Sequence, residues 1–209
     1  DTLTNSLRKN ARPSEKIKLL MIDDHSINQL SEIIGRWPWP RGIYAPVIEF
    51  LEMGEAQAVY FDILFSEEEE IEESHKEFEK GLSNSEKTHL VAILTKNEKV
   101  EVNSKINIKK SKIRVVGKEL LELNSYNTIY QPIKSLHKNA KTIPISTIKA
   151  NRDGIYRNMH LLHDFQNNTL MSLPLSAIMG EENIDTIYVN KKAQLLVGKY
   201  KVPIKRTGE

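Results

Sequence analysis

Acidic residues that end apolar runs are the first chemistry this chain offers. Leu19-Leu20-Met21-Ile22 stops at Asp23-Asp24, and Ala58-Val59-Tyr60-Phe61 stops at Asp62. If both runs are buried parallel strands joined by a crossover, their acids share the carboxyl edge of one sheet, where α/β folds place their sites. Carboxylates gathered there can hold a divalent cation for phosphoryl transfer. A second group is Trp37 and Trp39, the only tryptophans, set in Gly35-Arg36-Trp37-Pro38-Trp39-Pro40-Arg41. Rings on a rigid segment between two arginines can line a pocket for an organic anion. Alternatively the rings fill a gap between helices while Arg41 pairs with an acid such as Asp62. The expected ligand-binding set is therefore Trp37, Trp39, Arg41 and Asp62, with Asp23 and Asp24 beside it.

Other reactive arrangements are weak. His160 and His163 are three apart, and in a strand that spacing sends them to opposite faces, so they ligate a metal together only awkwardly. Glu67–Glu70 lacks a calcium-type loop with its glycine. There is no G-x-S-x-G elbow, phosphate-binding loop, G-x-G-x-x-G or H-E-x-x-H. The absence of cysteine removes thiol nucleophiles, thiolate metal centres and disulfides together. No catalytic residue, metal or cofactor is expected of this stretch.

The elements that must position these residues follow from periodicity. Ile17–Ile22 reads as a buried strand, and Ser26 caps a helix carrying Ile27, Leu30 and Ile34, with Gly35 past its end. Each proline in the Trp-Pro-Trp-Pro segment disfavours helix before it, which predicts an extended link. A helix over 43–53 presents Val47, Phe50 and Leu51, with Pro46 in its first turn and Gly54 as its stop. Ala58–Leu64 is a second buried strand, Glu67–Lys80 a peripheral acidic helix with the stripe Ile71, Phe78 and Leu82, and His89–Leu94 a third strand. A Lys-rich excursion over about 96–125 alternates at Lys105-Ile106-Asn107-Ile108 and Lys112-Ile113-Arg114-Val115, as an exposed edge pair would; without interleaved aromatics it makes a poor nucleic-acid patch. Ile143–Ile148 and Ile155–Leu162 flank Asn151-Arg152-Asp153-Gly154 as a hairpin. A turn at Gln166-Asn167-Asn168 leads to a helix from Leu173 to Gly180, and two short strands close the chain. The class is α/β: a mixed, largely parallel central sheet flanked by helices, with an antiparallel hairpin in the C-terminal half.

The chain is 209 residues long with 39% hydrophobic residues, enough for one sizeable core, so a single domain with its core at about 17–205 is expected. Its net charge of +2 is too small for a general polyanion-binding field, and no nucleic-acid partner is expected. No run approaches the ~20 apolar residues that span a bilayer. With Asp1 in first place and no leader pattern, the stretch reads as an excised piece of a longer protein.

Two resemblances bear on function. Leu19–His25 resembles the opening of a response-regulator receiver domain, with Asp62 as the later acid and Thr95 as the hydroxyl residue. That pattern breaks off, because the expected Pro and Gly do not follow Asp62 and Gln131-Pro132 stands where Lys-Pro belongs. Four segments in order resemble the CHASE domains of the second type, CHASE2: Ile22-Asp23-Asp24 with Ser26-Ile27, then Gly35-Arg36-Trp37-Pro38-Trp39-Pro40-Arg41, then Phe61-Asp62-Ile63-Leu64-Phe65-Ser66-Glu67, then Asp153-Gly154-Ile155-Tyr156-Arg157. The helix at Leu173–Ile178 is similar to that family's closing helix.

The CHASE2 resemblance implies a non-enzymatic sensory domain, periplasmic or extracellular, in an inner-membrane receptor of bacteria. Transmembrane helices of its own chain would flank it and lead to an adenylate or guanylate cyclase or a histidine kinase. The stimulus, a small molecule or a protein, is not implied, and a homodimer is possible on this reading. Rival expectations are a receiver-like, metal-dependent phosphoryl-transfer domain and a purely structural dimerisation module.

Overall fold

The computed structural model describes residues 14–96, 106–150, 153–156 and 158–208. It divides into two units, Asp1–Trp39 and Pro40–Glu209.

In the first unit the expected strand at 17–22 does not form. Its backbone is irregular, and Ile17, Leu19, Leu20 and Met21 are 63–80% exposed. An apolar run becomes a strand only where a neighbour satisfies its backbone groups, and none among the described residues pairs with this one. Helix α1 (Asp24–Leu30) follows, its N-cap being Asp23 rather than Ser26. Ser26 completes a capping box: its N–H donates to Asp23 Oδ1 at 2.8 Å and its Oγ accepts from the Asp23 N–H at 2.9 Å. Ile27, Leu30 and Ile34 form the half-covered side, and Gly35 stands at φ +102°. The Trp-Pro-Trp-Pro link is neither helix nor strand and bends at 36–38.

The second unit opens with a 3₁₀ turn (Arg41–Ile43) running into α2 (Tyr44–Met53). Its inward residues are Tyr44 and Ile48, whereas Phe50, expected inside, is 70% exposed. Strand β1 (Val59–Phe61) pairs parallel with β2 (Thr88–Leu90), and α3 (Glu72–Asn84) lies between them in the chain. The parallel crossover thus joins the second and third expected strands, not the one at 17–22 to the one at 58–64, and α3 is no peripheral helix: Phe78 and Leu82 are fully buried. Tyr44, Phe61, Phe65 and Phe78 close into an aromatic cluster with centroids 4.9–6.2 Å apart. α2 reaches this layer because Gly81 leaves no side chain in the way. A Cβ there would sit 3.1 Å from the Ala45 backbone.

The predicted strand over 89–94 breaks in two. After β2, Val91-Ala92 leads to β3 (Ile93–Thr95), which pairs antiparallel with β6 (Thr128–Tyr130). The Lys-rich region also differs from expectation. Residues 97–105 lie outside the described residues, Ile113 is buried, and β4 (Arg114–Val116) joins the core sheet parallel to β9 (Thr186–Asn190) rather than forming a two-stranded excursion.

Between them come the short β5 (Ser125–Tyr126) and α4 (Lys134–Asn139). The chain at 142–146 then threads in parallel between Ala92 and Ser172, through bridges at Ile145. The antiparallel hairpin of the C-terminal half exists, but at β7 (Leu162–Phe165) and β8 (Asn168–Met171), not at 143–162. Its turn is Gln166-Asn167, both at positive φ, the conformation that matches the twist of two strands. The Asp153-Gly154 turn does form, with Gly154 at φ +78°, but no strand follows it directly.

Helix α5 (Leu173–Glu182) is capped by Ser172 and ends at left-handed Asn183 rather than Gly180. The last segment holds three strands rather than two, β9, β10 (Gln194–Val197) and β11 (Tyr200–Pro203), antiparallel in sequence order. Leu175, Met179, Ile187, Leu195 and Val197 pack into the second core beneath them. The result is a mixed α/β fold with both parallel and antiparallel pairings.

Candidate functional site

Three parallel strand tips meet at one edge: the residue after β1, the end of the 142–146 segment, and the step from β8 into α5. At each tip the apolar run ends and polar side chains take over. Asp62 follows β1, Ser146-Thr147 follow Ile145, and Ser172 follows Met171. Between the first two tips and β3 lies an open cavity of about 470 Å³, lined by Asp62, Ile93, Leu94, Thr95, Ser146, Thr147, Ile148 and Tyr156. A smaller pocket of about 80 Å³ shares Asp62 and runs to Met159, Ser172, Leu173 and Pro174. The larger volume is in the range of small-molecule sites, at the position where α/β sheets bind ligands.

The rim is braced by hydrogen bonds. Ser146 Oγ donates to Asp62 Oδ1 at 2.5 Å, joining two tips that are 84 positions apart in sequence. Thr147 Oγ1 accepts from the Leu94 N–H at 2.6 Å and donates to the Leu94 carbonyl at 3.2 Å, which fixes β3 as one wall. The start of α5 is closed to ligands. The Leu173 N–H donates to the Ile145 carbonyl at 3.0 Å, Pro174 has no N–H, and the Leu175 N–H donates to Ser172 Oγ at 3.4 Å.

Of the expected site residues, only Asp62 lines this cavity. Arg41 lies in the same unit with other partners. Its N–H donates to Glu69 Oε2 at 2.9 Å, its Nη2 donates to the Glu67 carbonyl, and its guanidinium sits 5.5 Å from the Phe65 ring centre. The anticipated Arg41–Asp62 pair is therefore replaced by Arg41–Glu69, because the segment after β1 brings Glu67 and Glu69 to the 3₁₀ turn. In the first unit Asp23 is a helix cap, its carboxyl held below the ordinary value chiefly by the Ser26 N–H. Asp24 is exposed in the first turn of α1. Trp37 and Trp39 meet edge to face with centroids 5.3 Å apart, Trp37 being 42% and Trp39 7% exposed. With no strand at 17–22, Asp23 and Asp24 do not sit at a strand tip. Among the described residues, no three His, Asp or Glu side chains are grouped to hold a metal.

Sequence reasoning missed Ser146, Thr147, Ile148 and Tyr156. The signal was present: an apolar run, Ile143-Pro144-Ile145, ending in two hydroxyl residues marks a strand tip as surely as an acid does. It also missed two buried histidine sites. His89 stacks on Tyr60 at 4.2 Å, and its Nδ1 shares a 2.6 Å hydrogen bond with Thr142 Oγ1, which lies 3.2 Å from Ser176 Oγ on α5. Burial, with Lys141 adding to it, lowers the His89 pKa to about 4, and burial also raises that of Tyr60. His163 is fully buried between the rings of Tyr126 and His160, and burial lowers its pKa to about 4. The expected divergence of His160 and His163 fails because only His163 is in the strand, leaving His160 free to turn back to a centroid distance of 6.0 Å.

The residues that carry the family resemblance serve this frame where they are described. Phe61 and Phe65 belong to the aromatic cluster, and Asp153 Oδ1 accepts from the Ile155 N–H at 3.2 Å. Arg157 lies outside the described residues. The family model described as the CHASE2 domain matches residues 1–209, the whole chain. No curated protein and no solved structure matches it.

Proposed function

We propose that this chain, which belongs to the CHASE2 domain family, is the extracytoplasmic input domain of a bacterial membrane receptor, with the Asp62 cavity as its stimulus site. CHASE2 domains are sensory rather than catalytic, and the family is an extracellular one. No helix among the described residues is long and apolar enough to cross a membrane, so on this reading the spans belong to flanking parts of the parent protein. The attached effector is a cyclase or a histidine kinase, and since such effectors act as dimers, the receptor is a homodimer.

One observation carries the site: a cavity of about 470 Å³ at the carboxyl tips of parallel strands, rimmed by residues from four separate chain segments, at 62, 93–95, 146–148 and 156. A ligand there touches β1, β3 and the 142–146 segment at once. It shifts the equilibrium between two arrangements of these tips by its differential affinity for them.

The test is occlusion. Ile148, on the cavity wall and 45% exposed, accepts a larger side chain without disturbing the core. In the parent receptor, Ile148→Trp is expected to abolish stimulus-dependent output while leaving the far-ultraviolet spectrum of the isolated chain unchanged. A variant that responds with the wild-type dose dependence removes the cavity from the mechanism. Reporter fusions to the two ends of the chain check the location, and activity of a cytoplasm-only reporter at both ends overturns it.

A further inference from the structure

The charge within the Asp62 cavity determines what it can hold. Among its lining residues Asp62 alone carries a charge at neutral pH; the others are aliphatic, hydroxyl-bearing or, in Tyr156, aromatic. One carboxylate oxygen is engaged by Ser146 Oγ, which holds the group in place without neutralising it. Neither Arg41 nor the start of α5 is available to draw an anion into the cavity. Arg41 is not among the lining residues, and its guanidinium lies 4.0 Å from Glu69, donates to the Glu67 carbonyl and faces the Phe65 ring. The start of α5, which borders the smaller pocket, has its first N–H groups bonded to Ile145 and Ser172 and a proline between them. A helix terminus attracts anions through free N–H groups, and these are not free.

We propose that this cavity binds small organic ammonium ions, with the cationic nitrogen at the free oxygen of Asp62 and the apolar part of the ligand against Ile93, Ile148 and Tyr156. A carboxylate fixed by a neutral donor is a preformed acceptor for a charge-assisted hydrogen bond. An aromatic ring in the wall adds attraction for the same charge. The volume admits a compact amine with one ring or a branched chain, and the closed start of α5 offers no counterpart for a carboxylate on the same molecule. The inference rests on reading the cavity as the stimulus site and adds the chemical class of what enters it.

Three probes of nearly the same shape separate the possibilities: phenethylammonium, 2-phenylethanol and phenylacetate. Each is titrated into the 209-residue chain while backbone amide shifts are followed by NMR. The expected result is that phenethylammonium alone moves the amides of Asp62, Thr95, Ser146 and Thr147 saturably, binding at least about tenfold more tightly than the alcohol. Asp62→Asn keeps an oxygen for Ser146 to donate to, so the fold persists, and it should remove that tenfold preference. Tyr156→Leu, on a side chain 66% exposed, should weaken the cation about threefold and leave the alcohol unchanged. If phenylacetate or the alcohol saturates these amides as well as the cation does, the charge class is wrong while the cavity remains the site. If none of the three moves them, this inference and the cavity's role as stimulus site are both overturned. If Asp62→Asn folds and binds the cation undiminished, the assigned contact is wrong.

Discussion

The two faces of the β1–β2 pair are sealed by opposite chemistries. Phe61 points to one side and joins Tyr44, Phe65 and Phe78 in a layer of rings, the Tyr44 hydroxyl held neutral by burial. Tyr60, the neighbour that alternation sends the other way, lies on His89 and belongs to a chain of hydroxyls running through Thr142 to Ser176. The first face depends on shape, since interlocked rings lose both area and geometry when one is removed. The second depends on protonation state, since an uncharged imidazole accepts burial far more readily than a charged one. One strand pair thus combines a pH-indifferent support with a pH-sensitive one, and Asp62 stands where both end.

Breaking the aromatic face should have the largest effect. Phe78→Ala opens a void among three rings and is expected to cost about 4 kcal/mol, read as a drop in the urea midpoint; a loss under about 1 kcal/mol would mean that the ring layer does not support the fold.

Acid tests the other face. Below pH 6.5 the unfolded chain protonates His89 and His163, while the folded chain resists until about pH 4. The unfolded state then binds more protons, so stability is complete above pH 6.5, falls between 6.5 and 4, and is level below that, by on the order of 3 kcal/mol for each histidine. His89→Phe keeps the stack on Tyr60 and should flatten part of this slope. An unaltered slope in both His89→Phe and His163→Phe would place the acid sensitivity elsewhere.

A smaller change is expected at the margin of the ring layer. Arg41→Ala strips the cover from Phe65, removes the donor to the Glu67 carbonyl and the 4.0 Å ion pair with Glu69, and keeps the backbone N–H bond to Glu69, which should cost about 1 kcal/mol. The smallest belongs to the cavity: Asp62→Asn, at an exposed position, should shift stability by no more than about 0.5 kcal/mol. That contrast is the sharpest of the set, because sequence placed Arg41 and Asp62 in one constellation and thermal melts of the two variants should separate a supporting charge from one left open.

What could be read in advance followed the strength of the local signal. The strands β1 and β2, α2 with its proline in the first turn, and α5 all stand close to where periodicity and punctuation put them, although the parallel pairing joins β1 to β2 and not to 17–22. The strand at 17–22 was legible only as an apolar run, and nothing local states whether a sheet edge will be there to receive it. The hairpin was misplaced because Asp153-Gly154 is the stronger turn dipeptide, whereas Gln166-Asn167 gains its positive φ values from the strands on either side. Asp62 was legible from its place after an apolar run. Its partner Ser146 was not, because that pairing depends on a parallel register between segments far apart in the chain.

The contact between Gly81 and Ala45 has a mechanical meaning. Two helices that meet with only the Ala45 methyl between their backbones have little room to rock against each other, since a tilt drives atoms into overlap. α2 and α3 are therefore locked together where Tyr44 and Phe78 enter the ring layer, at the end of α2 that continues to Pro40. Any strain reaching that proline is handed to the sheet whole, not dissipated in a hinge.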